Sequence, residues 1–65
     1  MPQFQEVRRT ENTISGVQLA DTLILPEGVE LTGDTVIIAN RINFEGSIFI
    51  KKNEHNLYVF LISEQ

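Results

Sequence analysis

The sequence predicts an all-β protein that forms one small domain. Three apolar runs rich in β-branched residues alternate with short segments in which apolar and polar residues take turns. This is the pattern of strands that bury at least one face. Proline, glycine, aspartate and asparagine interrupt the runs so often that no room is left for a crossover helix. The 65 residues suffice for one domain with a marginal core.

The N-terminal segment, residues 1–13, differs from the rest of the chain. It is polar, and Phe4 and Val7 are its only large apolar residues after Met1. Two apolar residues provide neither a helical stripe nor a sustained strand pattern. We therefore expect residues 1–13 to form a flexible or irregular arm, and residues 14–65 to form a single β domain.

An imperfect repeat centred on residues 28–38 organises this domain. Each copy has an apolar-x-apolar step, a small polar turn and then a run of three apolar residues. The clearest copies begin at Val17, Val29 and Ile42, so that each follows the previous one at a similar spacing. A regular period of this kind predicts similar units that stack on one another.

Two architectures fit the repeat. In a short parallel β-solenoid of about three imperfect 12–13-residue repeats, equivalent apolar residues stack in the interior. In a small antiparallel β-meander or barrel, each unit is instead a hairpin. We favour the solenoid, because stacked coils need similar sequences and successive hairpins do not. The predicted core residues are Val17, Leu19, Val29, Leu31, Ile42 and Phe44, and the predicted turn glycines are Gly28, Gly33 and Gly46.

The segment Val-Glu-Leu-Thr-Gly-Asp-Thr-Val-Ile-Ile, residues 29–38, resembles the rungs of parallel β-helix proteins. The following residues 39–46 continue the resemblance, which extends over residues 14–62, with glycine, asparagine and aspartate at corners between short aliphatic strands. It implies a structural scaffold that builds filaments, as the bactofilin-like members of this class do. The chain has too few rungs for a complete enzyme-sized helix, so the catalytic acids of longer members cannot be assigned to any position here.

Composition argues against several other functions. The net charge of −4 is unsuited to nucleic acid, which requires clustered Lys and Arg. No apolar run approaches the ~18 residues of a membrane span, and we expect no signal peptide in this chain. With no cysteine and His55 as the single histidine, we expect no metal site and no cofactor. The cellular compartment is left open.

The acidic residues are also poor candidates for catalysis. Glu27, Glu30, Asp34 and Glu45 lie in or beside predicted turns, where solubility and turn formation explain them. Paired carboxylates need a cleft that holds them about 5 to 9 Å apart, and strands this short provide no wall for one. We therefore expect no enzyme and no catalytic residue.

The C-terminal run of residues 57–62 is apolar on both faces. One face can join the core, and the other presents Tyr58, Phe60 and Ile62, which we predict to mediate self-association. Alternatively, Phe4 and Val7 cover this strip. The predicted function is a structural, self-associating β-protein, the building block of a homo-oligomer or filament. The alternative is a small β module that binds a carbohydrate or a protein through Phe49, Tyr58 and residues 51–56.

Overall fold

The structure, a computed structural model, describes residues 5–62 and has five strands and no helix in that range. The all-β prediction is therefore confirmed. No helix among the described residues is long and apolar enough to cross a membrane. The strands are β1 Glu6–Arg8, β2 Thr13–Pro26, β3 Val29–Glu45, β4 Ile50–Lys51 and β5 Leu57–Leu61.

All pairings among these strands are parallel. The long strands β2 and β3 pair along most of their length, from Thr13 beside Glu30 to Pro26 beside Glu45. On the other side of β2, β1 covers only residues 22–24. On the other side of β3, β4 and β5 follow one another and cover residues 29–30 and 35–39.

Both long strands must bend, and the connection between them shows why. Only Glu27 and Gly28 separate β2 from β3, although parallel neighbours usually need a connection of a dozen or more residues. Glu30 pairs with Thr13 and comes soon after Pro26 in the chain, so the two ends of β2 lie within about 20 Å. A straight strand of 14 residues would span roughly 43 Å. Strand β2 therefore curves and returns the chain to its own beginning.

The hydrophobic core lies on the inner side of this curve. In-register neighbours share it, as when Ile14 lies beside Leu31 and Leu23 beside Ile42. Val29 and Leu31 are buried, as the sequence suggests, whereas Ile42 and Phe44 are half-buried and pack against the core from its margin. The buried cluster consists of Ile14, Ala20, Leu23, Leu25, Val29, Leu31, Ile37 and Ala39.

The register differs from the predicted repeat. Along most of the β2–β3 pair, partner residues have the same sequence separation as Val17 and its partner Val36. The repeat instead aligns Val17 with Val29, which is a shorter separation. Val17 and Leu19 are 68% and 51% exposed, and the prediction that they belong to the core is wrong. The reason is that alternation shows which residues share a face of a strand without showing which face is buried.

Of the three glycines predicted to form turns, Gly28 and Gly46 lie at the ends of strands and Gly33 does not. Gly28, with φ +74°, makes the turn between β2 and β3, and Gly46, with φ +117°, follows the end of β3. Gly33 instead lies inside β3, at a register shift. There β3 has three residues, 32–34, opposite the single residue Ser15 of β2. Gly16, which the repeat does not single out, has φ +81° at the same register shift.

The N-terminal segment is more ordered than the sequence suggests. Glu6–Arg8 forms strand β1, and Val7 packs against the core. The pairing is extended by the N–H of Asp21, which donates to the carbonyl of Gln5 at 3.0 Å. The predicted arm therefore contains part of the sheet. Residues 1–4, including Phe4, and residues 63–65 lie outside the described part of the chain.

Candidate interaction surface

A second apolar face lies on the side of the sheet opposite the core. It is formed by two rows of side chains that cross three neighbouring strands in register. Partners in adjacent parallel strands point to the same side of a sheet, as do residues two apart in one strand. The rows are Val17–Val36–Tyr58 and Leu19–Ile38–Phe60, and these six residues are called the outer apolar face below.

The burial of the intervening residues supports this assignment of faces. Ile37 and Ala39 alternate with the outer residues along β3, and both are buried in the core. Tyr58 and Phe60 are 51% and 56% exposed, because they lie on the last strand of the sheet. The outer apolar face is thus distinct from the core and is open to solvent at both of its flanking strands.

Another part of the outer surface shows how an outward apolar residue can be covered within the chain. Ile24 faces away from the core cluster but is only 6% exposed. It lies between Arg8 and Asn43 in the register, and the Arg8 guanidinium reaches across β2 to form an ion pair with Glu45. No ion pair between described residues crosses the outer apolar face in this way.

The outer apolar face is small but energetically substantial. Neighbouring strands are about 4.8 Å apart, so the three strands place the outermost backbones about 10 Å apart. Its four most exposed members are Val17, Leu19, Tyr58 and Phe60, each about half exposed or more. Covering them would contribute on the order of 1 kcal/mol each, or about 4 kcal/mol together. That sum is comparable with the whole stability of a marginal domain.

One edge of β5, which no other strand of residues 5–62 pairs with, adjoins this face and is called the free edge of β5. The N–H of Thr35 donates to the carbonyl of Asn56, and the N–H of Ile62 donates to the carbonyl of Ala39. Even-numbered residues of β5 thus turn their backbone groups toward β3, and the alternation of a parallel ladder turns those of Val59 and Leu61 toward the open edge. An uncovered edge of this kind is a template for another strand.

The side chains of Val59 and Leu61 are also poorly covered. They continue the rows that begin at buried Ile37 and Ala39, so they face the core side of the sheet. Nevertheless they are 45% and 63% exposed, because no described strand pairs with β5 beyond β3. The core is therefore open at this end of the sheet.

Two of the three residues predicted to mediate self-association lie in the outer apolar face, together with residues that the prediction did not include. Tyr58 and Phe60 belong to the outer apolar face, while Ile62 is exposed just beyond the end of β5. Val36 and Ile38 belong to the same face, although the repeat alone does not reveal it. Residues 36–38 form a run with no polar residue, and such a run indicates a strand that is apolar on both faces. The same holds for residues 57–62.

The polar segment between β4 and β5 is fastened to the corner of β3. The Asp34 carboxylate accepts a hydrogen bond from the N–H of Asn56 at 2.9 Å and lies 3.8 Å from His55 Nδ1. Asn53 Nδ2 donates to Glu30 Oε2 at 2.7 Å. Among the described residues, no group of three or more His, Cys, Asp or Glu side chains could hold a metal ion. These contacts anchor the loop that leads into β5.

Comparison with known proteins identifies no relative: no family model, no curated protein and no solved structure matches this chain. Function must therefore be argued from the chain itself. The described residues offer two surfaces to a partner, the outer apolar face and the free edge of β5.

Proposed function

We propose that this chain is a short parallel β-solenoid that self-associates, and that it serves as a structural building block of a homo-oligomer or filament. The observation that carries the proposal is the outer apolar face. It is an exposed apolar surface formed by three strands whose opposite face already supplies the core.

The solenoid part of the proposal rests on the register. In a solenoid, each coil of the chain returns to a position one strand above its own start. Strands β2 and β3 would be two successive coils. The offset between partners such as Val17 and Val36 gives the length of a turn, and the bend in β2 allows the return. Core residues then stack from layer to layer, as Ile14 does on Leu31 and Leu25 on Phe44.

The self-association part rests on exposed apolar area and small size. A chain of 65 residues with no cysteine has no disulfide to reinforce its core. A contiguous exposed apolar patch on a soluble protein often marks an interaction site. A second copy would remove Val17 and Phe60, which are 68% and 56% exposed, from water. Association would therefore stabilise both the surface and the fold.

Light scattering of the purified chain provides the test. We expect the unmodified protein to have a mass well above 7.4 kDa at high concentration. Phe60→Glu places a charge in the outer apolar face and should weaken association at least about tenfold, because a buried charge without a partner is costly. Ser47→Glu adds the same charge at an exposed loop position and should leave association unchanged. Equal behaviour of the two variants would contradict the proposal.

Tyr58 provides a direct optical probe of the same surface. It is the only tyrosine, and the chain has no tryptophan, so ultraviolet fluorescence reports on this one position. We expect acrylamide to quench Tyr58 less efficiently as the protein concentration rises, because association would cover its half-exposed ring. Quenching that does not depend on concentration would show that Tyr58 stays in water.

A further inference from the structure

Among the described residues, the sheet has two edges with no further strand, and the outlines of these edges differ. The lower edge consists of β1, which lies beneath residues 22–24, and of the uncovered residues 13–20 of β2. The upper edge consists of β4 and β5, which lie above the first two thirds of β3, and of the uncovered residues 41–45. Each edge therefore has a step. The two steps lie at the same place along the turn and overlap in the row of Asp21 and Asn40, because Gln5 lies beside Asp21 at the lower edge and Ile62 lies beside Asn40 at the upper edge.

Outside this row the steps are complementary, and we propose that copies of this chain join head to tail, the upper edge of one copy pairing with the lower edge of the next. Within the row, either Gln5 or Ile62 gives up its pairing at the junction. This inference rests on the self-association proposed above and specifies its geometry. In this arrangement β1 of the next copy lies on residues 41–45, while residues 13–20 of the next copy lie on β4 and β5. Every pairing stays parallel, as it is within the chain.

The register within the chain determines which residues meet at this junction. Residues 16–20 of β2 pair with residues 35–39 of β3, which pair on their other side with residues 57–61 of β5. Partner residues of the three strands therefore form common rows across the sheet. Repeating that register places Tyr58 beside Val17 of the next copy and Phe60 beside its Leu19. The four outer residues on β2 and β5 are then flanked by apolar side chains on both sides, as Val36 and Ile38 are within one chain, and this flanking removes part of their surface from water.

The same register closes the open end of the core. Val59 and Leu61, which are exposed on the core side of β5, lie beside Gln18 and Ala20 of the next copy. Their free backbone N–H and C=O groups gain partners on residues 16–20 of that copy. The junction thus covers the side chains and the backbone edge that the single chain leaves open.

Charge supports this arrangement. Glu6 pairs with Thr22, and Thr22 pairs with Arg41, so the three residues occupy one row across β1, β2 and β3. In the head-to-tail stack, Glu6 of the next copy lies directly beside Arg41. Both side chains are exposed, and neither forms an ion pair with another described residue. Opposite charges on neighbouring strands favour the pairing, whereas joining two upper edges brings no Glu6 to Arg41.

Disulfide trapping tests the junction in the full chain, which has no cysteine of its own. Within one chain β2 separates Glu6 from Arg41, so their backbones are about 10 Å apart, beyond the reach of a disulfide. The double variant E6C/R41C should therefore give a ladder of covalent dimers, trimers and longer species upon oxidation. E6C alone should give dimers at most. T22C/R41C joins direct neighbours within one chain and is the matched control.

Charge exchange provides the second readout. Glu6→Arg and Arg41→Glu should each raise the concentration at half-association about fivefold by light scattering, and the double exchange should restore it. A ladder with E6C/R41C, together with this rescue, supports the head-to-tail junction. Association of the unmodified chain with neither ladder nor rescue overturns the junction and leaves the proposed self-association standing. A chain that stays monomeric at high concentration overturns the proposed function itself.

Discussion

Replacing glycines by alanine at three sites tests how the chain turns its corners. Gly46 has φ +117°, where side chains are rarely tolerated, and an added Cβ would lie 3.1 Å from both Cβ and Oε1 of Glu27. Gly28 has φ +74° but open space around an added Cβ. Gly33 is outside the left-handed region, and its nearest neighbour would be the Cβ of Ser15 at 3.4 Å. The three sites therefore separate backbone strain from steric contact.

The expected costs follow this order. Gly28→Ala bears only the backbone cost of a left-handed residue, about 1–2 kcal/mol. Gly46→Ala bears a backbone cost of about 1–3 kcal/mol in a sparsely populated region and must also displace Glu27. At Gly33 the contact is ordinary and the backbone is permissive, so alanine should change the free energy of unfolding by less than about 0.5 kcal/mol.

Urea denaturation followed by far-ultraviolet circular dichroism measures these differences. Small proteins have a slope of about 1 kcal/mol per molar urea, so a loss of about 2 kcal/mol lowers the midpoint by about 2 M. All variants are compared at one protein concentration, because association links stability to concentration. A loss at Gly33 as large as that at Gly46 would refute the assignment of the corners.

Three further predictions concern the core, the loop and the outer face. Leu23→Ala removes a side chain that is 1% exposed and should cost about 2–5 kcal/mol in thermal or urea unfolding. Asp34→Ala removes the acceptor for the Asn56 N–H and should cost about 1 kcal/mol, whereas Asp34→Asn keeps an acceptor and should cost less. Val17→Lys charges the row that contains Tyr58 and should lower the scattering mass; a mass equal to that of unmodified protein would contradict the role of this row.

The strands and the turn at Gly28 are predictable because their signals are local. Alternation around Val29 and Leu31 indicates a strand with one buried face, and Pro26 followed by Gly28 marks a corner. Self-similarity of the repeat favours parallel pairing, and the strands of the structure are parallel. The strand and turn signals depend on a few neighbouring residues and not on contacts distant in the chain.

The register is not predictable because it depends on the irregularity within the β2–β3 pair. At this register shift β2 has Ser15 alone, whereas β3 has residues 32–34. The extra residues of β3 increase the sequence offset between partners beyond Ile14, and the shorter spacing of the sequence repeat does not reveal this change. The repeat consequently predicts Val17 and Leu19 in the core, although they lie on the outer face.

Strand β1 escapes prediction for a different reason. Glu6–Arg8 has a single apolar residue, which is too little for a strand pattern. The segment is ordered by pairing with residues 22–24, which lie well beyond it in the chain, and by packing of Val7 on the core. Structure that arises from such distant contacts leaves no local signal in the sequence.

Sedimentation equilibrium of the unmodified chain measures its self-association without any substitution or label. Self-association through exposed apolar surface and free strand edges predicts an average mass that rises with concentration, well beyond 7.4 kDa and without stopping at a dimer if copies join head to tail. An average mass that stays at 7.4 kDa from micromolar to millimolar concentration would show that the chain does not self-associate.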